Sequence, residues 1–407
     1  MDLLFLLLAG VVLLKGLLGA LHSLSYQRYL DLQLSQTPPA WMPPASVIVP
    51  CKGCDFELQE NMEAILDQEF EDYEVIFVTS TESDPSLVDL RRAARKFPGR
   101  RIKFVVSGLS NQRGEKVNNL LRALERVDPG SQVLVFADSD GRPYRHWLRD
   151  LLGPLRDPET GASTGYRWFF ARSGNLASLL RATWNSSIAT LLGGHRHNFA
   201  WGGSMAIRRS TFARVDVPAY WKHSVSDDYS LTEAVNAAGL RIHYQPRCLV
   251  ASHGDCTWRE LVEWSTRQII ITKVYSRGRW RLALLSEWPF VLFWWWTVGE
   301  LMASALGVGG AIEIGWLQGA PLLLLLGMVW FLGAVRGLFR WRMIGRIRPE
   351  HQQRLKRDLW GYLFLGPLAA TLTACNLAIS LFTSTIVWRR VRYRLVSSRE
   401  VRVFRDK

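Results

Sequence analysis

The chain has 407 residues, with 50 Lys and Arg against 36 Asp and Glu, which gives a formal net charge of +14. This length suits one large domain or two modest ones. Its five cysteines, an odd number, argue against a framework of paired disulfides. The basic residues crowd beside apolar segments, a pattern that favours an anionic membrane surface over nucleic acid as the partner.

The first 44 residues contain an apolar segment and a Pro-rich stretch. Residues 1–21 are almost entirely apolar apart from Lys15, and they are long enough to cross about 30 Å of hydrocarbon. Only Asp2, and no positive charge, precedes this run, which predicts an uncleaved anchor with Lys15 reaching towards one interface. Residues 22–44, with prolines between 37 and 44, are predicted to form a stiff linker. The excess of basic charge after the anchor predicts a cytoplasmic main domain.

Residues 45–255 alternate between strand-like and helix-like patterns. The order β-α-β-α-β-α-β at the start of this region predicts a doubly wound, mostly parallel sheet. In such sheets ligands bind outside the carboxyl ends of the strands. Strands are predicted at 46–49, 74–78, 102–106, 133–137, 161–168 and 204–207, and helices at 59–68, 86–97, 115–127, 176–192 and 229–238.

Two carboxylates, Asp138 and Asp140, follow the buried strand 133–137. Neighbouring acids repel unless a cation lies between them, and Mg²⁺ takes one or two carboxylates together with substrate phosphates. We therefore hypothesise a divalent ion that grips a diphosphate; the alternative is a solvated turn that ends the strand. Asp84 follows the second strand and Lys116 opens the helix after the third, so both are expected at the same edge. No G-x-G-x-x-G or P-loop follows the first strand, which argues against a dinucleotide cofactor or an ATPase.

Two later segments also suggest chemistry. Gly202 and Gly203 let the backbone approach a ligand closely, or they simply form a tight turn into a strand. In Ser226-Asp227-Asp228, either of the first two residues can cap the next helix. The surplus carboxylate is then a candidate general base.

The last third of the chain is largely apolar, with basic interruptions. Residues 256–281 carry an interfacial amphipathic pattern, mainly between 258 and 280. A C-terminal membrane region, 282–388, is predicted to contain spans at 282–306 and 316–335, a short turn at 307–315 and a basic cytosolic loop at 336–357. A third apolar stretch, 360–388, is broken by Gly366-Pro367, which predicts a bent hairpin or an interfacial segment. Residues 389–407 form a basic tail that is predicted to be cytosolic.

With these pieces in place, the chain resembles membrane-bound glycosyltransferases of families 2 and 21, of the ceramide glucosyltransferase type. Motifs in the same order carry the resemblance: Val49-Pro50-Cys51-Lys52-Gly53, Asp84, Lys116 with Asn118 and Asn119, Asp138-Ser139-Asp140, Gly202-Gly203-Ser204, Asp227-Asp228-Tyr229 and Trp388-Arg389-Arg390-Val391-Arg392-Tyr393. One segment departs from the family pattern. After Arg267 and Gln268, isoleucines replace the Arg-Trp pair that usually ends the interfacial motif.

The resemblance implies a GT-A-type α/β fold with one N-terminal and two to three C-terminal membrane helices, together with interfacial helices. It also implies roles for individual residues. These are donor binding by Pro50, Lys52, Asp84, Lys116, Asp138 and Asp140, Mg²⁺ or Mn²⁺ binding by Asp138 and Asp140, base catalysis by Asp228, and an acceptor side formed by Gly202, Gly203, Asp227, His195, Arg267 and Gln268. For at least one of His195 and His197, an ordinary loop histidine is the better interpretation.

The implied reaction is inverting transfer of a sugar from a nucleotide-sugar, expected to be UDP-linked, to a hydroxyl of a membrane lipid, ceramide-like or other. The protein would then be an integral, multi-pass membrane protein with a cytoplasmic catalytic domain, and for a bacterial protein this would be the inner membrane. Two alternatives stay open. One is a processive polysaccharide synthase. The other is an inactive membrane scaffold with a glycosyltransferase-like fold, for which the altered interfacial motif is the only support.

Overall fold

The computed structural model describes residues 2–37, 41–307 and 319–405. The chain divides into two compact units, each assembled from separate segments. We call residues 1–28, 173–190 and 255–383 the helical unit, and residues 29–172, 191–254 and 384–407 the sheet unit. This division differs from the predicted region 45–255 and separate tail 389–407, since residues 173–190 group with the helical unit and residues 384–407 group with the sheet unit.

The sheet unit is built on a seven-stranded sheet within the described residues. Its strands are β1 (Ala45–Pro50), β2 (Tyr73–Thr79), β3 (Arg101–Val106), β4 (Val133–Ala137), β5 (Thr160–Phe170), β6 (Ser204–Arg208) and β7 (Arg241–His253). The spatial order is β3-β2-β1-β4-β6-β5-β7. Strand β6 runs antiparallel to β4 and β5, whereas the other neighbouring pairs are parallel. The predicted α/β, doubly wound and mostly parallel fold is thus confirmed.

The helices are numbered along the whole described chain. They are α1 (Asp2–Ser35), α2 (Leu58–Leu66), α3 (Ser86–Arg95), α4 (Glu115–Leu124), α5 (Trp147–Leu152), α6 (Leu176–Ala189), α7 (Arg209–Arg214), α8 (Val217–Trp221), α9 (Asp227–Ala237), α10 (Trp258–Tyr275), α11 (Arg277–Ala305), α12 (Ala320–Ile347), α13 (Gln352–Phe364) and α14 (Gly366–Phe382).

The central strands are buried on both faces, which explains why their sequences are continuous apolar runs. In β4, Val133 and Val135 pack into one apolar cluster, and Leu134 and Phe136 pack into the cluster on the opposite face. The strand order reverses between β1 and β4, because β2 and β3 lie on one side of β1 and β4 lies on the other. At such a switch point the loops after the strands diverge and leave room for a ligand. The residues after Pro50 and Ala137 flank this point.

The sequence prediction missed the short helices α5, α7 and α8 and two strand regions of the sheet unit. Strand β7, with 13 residues, pairs in parallel with β5, although Pro246 interrupts its pattern. The C-terminal tail forms a second, antiparallel sheet of β8 (Thr385–Trp388), β9 (Val391–Ser397) and β10 (Glu400–Phe404). In β9, buried and exposed side chains alternate, so the arginines face outward and the apolar residues face inward. The high charge of this segment concealed a period of two.

The helical unit corrects the prediction for the N-terminus. Helix α1 continues to Ser35, so residues 22–35 are helical and are not a linker. Lys15 Nζ donates to Glu287 Oε1 at 2.8 Å and to the Ser286 carbonyl at 2.9 Å. A carboxylate partner offsets the charge that the apolar stretch would otherwise leave unpaired.

Two helices in the described part of the chain are long and apolar enough to cross a membrane, Leu3–Ser35 and Ala320–Ile347. The Trp-rich α11, which contains most of the predicted span 282–306, is not among them. Pro349–Phe364 and Gly366–Phe382 are bent by 66° and would add one span if they cross together, so the predicted break at Gly366-Pro367 is confirmed. The predicted turn 307–315 and the start of span 316–335 lie largely outside the described residues. The predicted interfacial segment 258–280 is divided at Ser276 between α10 and α11.

Candidate active site

A buried lysine connects two acidic segments at the carboxyl edge of the main sheet. Lys116, in the first turn of α4, places its Nζ 2.7 Å from Asp138 Oδ1 and 3.0 Å from Asp227 Oδ2. Its side chain is only 14% exposed. Burial by itself would lower the pKa of Lys116, but Asp138, Asp227 and Asp228 raise it above its ordinary value. The ammonium therefore stays charged and ties the end of β4 to the start of α9.

The two acids at the start of α9 have different environments. Ser226 caps the helix, since its Oγ accepts a hydrogen bond from the Tyr229 N–H at 3.2 Å. Asp227 is buried, and burial together with Asp228 raises its pKa to about 7 although Lys116 opposes the shift. Asp228 is half-buried and accepts hydrogen bonds from Ser226 Oγ and, at 2.8 Å, from the Tyr229 N–H. With Ser226 as the cap, both carboxylates are left for the site.

The paired glycines before β6 are required by the acidic side chains around them. A Cβ on Gly202 would lie 2.2 Å from Asp227 Oδ2 and 2.7 Å from Lys116 Nζ. A Cβ on Gly203 would lie 2.7 Å from Asp138 Oδ2 and 2.2 Å from the ring of the preceding Trp201. All four distances are far below van der Waals contact. The glycines therefore do more than make a turn, because they let the backbone close against the acidic cluster.

An arginine that the sequence analysis did not single out lies between the two acids after β4. Arg167 Nη2, on β5, donates to Asp138 Oδ2 at 3.1 Å and to Asp140 Oδ1 at 2.6 Å. Burial alone would raise the pKa of Asp138, but Lys116 and Arg167 hold it below its usual value. A signal was present in the sequence, because Arg167 is a charged residue inside the otherwise uncharged run from Thr160 to Phe170.

The C-terminal tail contributes a second arginine to this region. Arg389 has a left-handed φ of 51° in the turn between β8 and β9, and its guanidinium pairs with Asp55. The other oxygen of Asp55 accepts a hydrogen bond from Ser139 Oγ at 2.6 Å. Burial opposes charge on Arg389, yet Asp55, Asp140 and Asp138 raise its pKa. The tail motif is thereby connected to the loop that carries Asp138 and Asp140.

The predicted donor-side residues lie where the first two strands end. Pro50 is the last residue of β1. Asp84 Oδ1 accepts hydrogen bonds from the Gly53 N–H at 2.9 Å and from the Ser86 N–H at 3.0 Å, so it fixes the turn after β1 to the start of α3. Lys52 pairs with Glu115 at the start of α4. These contacts support the prediction that the loops after β1, β2 and β3 share one edge.

Three further residues were predicted for the acceptor side. His195 is exposed, and its Nδ1 accepts a hydrogen bond from the His197 N–H at 3.2 Å. Arg267 and Gln268 lie on α10, in the helical unit. Their role at the acceptor stays a prediction.

The residues after β4 fit a hard divalent cation. Asp138 and Asp140 both accept a hydrogen bond from Nη2 of Arg167, so one oxygen of each carboxylate points towards the same positively charged atom group. No group of three or more His, Cys, Asp or Glu side chains that could hold a metal occurs in the described residues. Two carboxylates suit Mg²⁺ or Mn²⁺ when a diphosphate supplies further oxygens. Burial and the negative charges of Asp138 and Asp55 raise the pKa of Asp140, although Arg167 opposes this.

Among curated proteins, the chain is similar to Ceramide glucosyltransferase 1 of Caenorhabditis elegans, with 29% identity over 86 residues. The match covers 21% of this chain and 18% of that protein, so the chain spans less than a fifth of the relative it matches.

Solved structures with similarity to the chain include a mannosyltransferase from Pyrobaculum calidifontis, in complex with GDP-Man and Mn²⁺, at 16% identity and a TM-score of 0.46. This alignment covers 92% of the present chain and 98% of the mannosyltransferase. A glucosyl-3-phosphoglycerate synthase from Mycobacterium tuberculosis, in complex with phosphoglyceric acid, is 17% identical at a TM-score of 0.37. This alignment covers 58% of the present chain and 85% of the synthase.

The sequence model of one protein family, described as glycosyl transferase family 21, matches the chain over residues 11–401. It covers most of the first apolar helix, the second apolar helix Ala320–Ile347, the acidic cluster and most of the tail. The chain therefore belongs to glycosyl transferase family 21, as its motifs predicted.

Proposed function

We propose that the protein transfers a sugar from a nucleotide-sugar to a hydroxyl of a membrane lipid, with inversion at the anomeric carbon and with a divalent metal ion. One observation carries the proposal. Lys116 contacts both Asp138, a candidate metal ligand, and Asp227, the neighbour of the candidate base. The donor-side and acceptor-side acids therefore belong to one cluster, as a transfer between two bound substrates requires.

On the donor side, Asp138 and Asp140 would hold Mg²⁺ or Mn²⁺. When bound, such an ion offsets the charge that develops on a departing diphosphate. Pro50, Lys52 and Asp84 would line the nucleotide pocket of a UDP-sugar. Lys116 would mainly hold Asp138 and Asp227 in place, because its ammonium already pairs with both carboxylates.

On the acceptor side, Asp228 is the proposed general base. It is half-buried, whereas Asp227 is buried and contacts Lys116, so Asp228 is the acid that an incoming hydroxyl can reach. Hydrogen bonds from Ser226 and Tyr229 hold one oxygen of Asp228 in place. The other oxygen would take the hydroxyl proton as the acceptor attacks the anomeric carbon. A single displacement of this kind inverts the configuration.

A lipid acceptor is supported by the two helices that are long and apolar enough to cross a bilayer and by the name of the curated relative. Under this proposal the protein is an integral, multi-pass membrane protein with its catalytic domain in the cytoplasm. His195, Arg267 and Gln268 are the further candidates for contacts with the acceptor.

The test uses the purified full-length protein in detergent with labelled UDP-sugars, Mn²⁺ and a membrane lipid extract. We expect a labelled glycolipid, analysed by mass spectrometry. Asp228→Asn should lower its formation by about 10²–10⁴-fold while UDP still binds. Asp89→Asn, a change of an acid in the first turn of α3, is the matched control and should have no effect.

The possible results separate the alternatives. Equal rates for Asp228→Asn and the unmodified protein would refute the assignment of the base. Absence of donor binding would favour an inactive scaffold. A polymer in place of a lipid that carries a single sugar would indicate a processive polysaccharide synthase.

A further inference from the structure

Arg167 takes the position that a cation between Asp138 and Asp140 would occupy. Its Nη2 contacts both carboxylates, at 3.1 and 2.6 Å. The side chain is 11% exposed, and the guanidinium lies 5.3 Å from the ring centre of Phe169 and 5.1 Å from that of Trp201. Two carboxylates and two aromatic rings thus hold one guanidinium in a defined place.

This arrangement has an electrostatic consequence for metal binding. A guanidinium keeps its charge at every physiological pH, so Arg167 cannot vacate the site by losing a proton. A bare divalent ion that approached Asp138 and Asp140 would meet the positive charge of Arg167, which repels it. A nucleoside diphosphate brings negative charge, which can pair with the guanidinium once the carboxylates turn to the metal ion.

We propose that Arg167 is the resident counter-cation of Asp138 and Asp140, and that it couples metal binding to nucleotide binding. In the absence of donor, the guanidinium neutralises the pair and keeps the affinity for a metal ion low. With donor, the diphosphate takes over the guanidinium, and the metal ion binds the two carboxylates. This inference rests on the proposed function, and it assigns Arg167 a positioning role in donor binding.

The test measures Mn²⁺ binding to the full-length protein by electron paramagnetic resonance, with and without UDP, after correction for the Mn²⁺–UDP complex in buffer. We expect UDP to tighten Mn²⁺ binding by about 5–150-fold, the usual range for coupled sites. Arg167→Gln should bind Mn²⁺ alone more tightly than the unmodified protein does, and should lose most of the coupling. Arg167→Lys keeps the charge and should retain weak binding of Mn²⁺ alone.

Arg101 supplies the matched control, because it also bridges two aspartates, Asp72 and Asp128, but at the exposed start of β3. Arg101→Gln should leave both Mn²⁺ affinities unchanged. If the unmodified protein binds Mn²⁺ equally well with and without UDP, the coupling does not exist and the inference is overturned, while the proposed function stands. The same holds if Arg167→Gln, folded by its thermal transition, binds Mn²⁺ alone no more tightly. If neither UDP nor Mn²⁺ binds to the unmodified protein, the proposed function fails, and this inference fails with it.

Discussion

Replacing Lys116 by methionine tests the central contact of the site. The substitution keeps most of the side-chain volume and removes the charge that Asp138 and Asp227 share. Removing one partner of a buried ion pair destabilises a protein by about 3–5 kcal/mol, because the remaining charge is left without compensation. Asp138 keeps Arg167 as a partner, so the loss falls mainly on Asp227.

We expect a loss near the lower end of that range, about 3 kcal/mol at pH 8. Asp227 already has a pKa of about 7 and will take up a proton more readily without the lysine, so the loss should become smaller at pH 6. For a domain of 150–250 residues, 3 kcal/mol corresponds to a fall in Tm of about 6–12 °C. Adding Asp227→Asn to Lys116→Met should restore most of the stability at pH 8, because no buried carboxylate then lacks its cation.

The assay is thermal unfolding of the full-length protein in detergent at pH 6 and pH 8, at one scan rate. Lys96→Met is the control, since Lys96 pairs with Glu63 at 2.7 Å but is 56% exposed. Such surface pairs contribute about 0–1 kcal/mol. If Lys116→Met is no more destabilising than Lys96→Met, or if Asp227→Asn does not rescue it, Lys116 does not hold the two acidic segments together.

Three further predictions follow from the same geometry. Because Asp227 has a pKa of about 7 when folded and an ordinary value of 3.8, the folded state holds an extra proton between these pH values, so stability falls as pH rises through this window. Asp227→Asn should therefore flatten the dependence of Tm on pH between pH 4 and 7, and an unchanged slope would contradict the assignment. Gly203→Ala places a Cβ 2.7 Å from Asp138 Oδ2 and should destabilise the protein by about 1–3 kcal/mol and weaken UDP–Mn²⁺ binding, whereas Gly99→Ala, with nothing within 4 Å, should do neither. Arg389→Gln should weaken donor binding in calorimetric titrations without unfolding the tail sheet, and unchanged affinity would show that the tail plays no part in the site.

The parts of the fold that could be predicted are those in which the pattern of apolar residues along the segment indicates which faces are buried. Strand β4 extends from Val133 to Ala137, as predicted, because a strand buried on both faces must be apolar throughout. The alternation of such strands with short helices predicted a parallel sheet and placed Asp84, Lys116 and Asp138 at one edge. The capping argument left a surplus carboxylate in Ser226-Asp227-Asp228, and the family resemblance identified the base as Asp228. No local pattern indicates which strand end these acids face.

Errors arose where local patterns conflict with the tertiary environment. Residues 391–397 carry two arginines, Arg392 and Arg394, and their charge concealed a strand with one buried face. Strand β7 contains Pro246, which weakened its strand pattern, yet β5 pairs with it over most of its length. The Pro-rich residues before β1 suggested a long linker, although α1 continues through residues 22–35.

The family, the class of fold and the identity of most acidic groups in the site follow from the amino-acid sequence, because motif order and apolar patterns are features of the chain itself. Which charges neutralise one another depends on how the elements pack in three dimensions. Lys116 meets an acid 111 residues further along the chain, and Arg167 meets two acids on a different strand end. Ion pairing depends on distances of about 3 Å across the sheet, and such distances are set by the packing of whole elements and not by any local pattern.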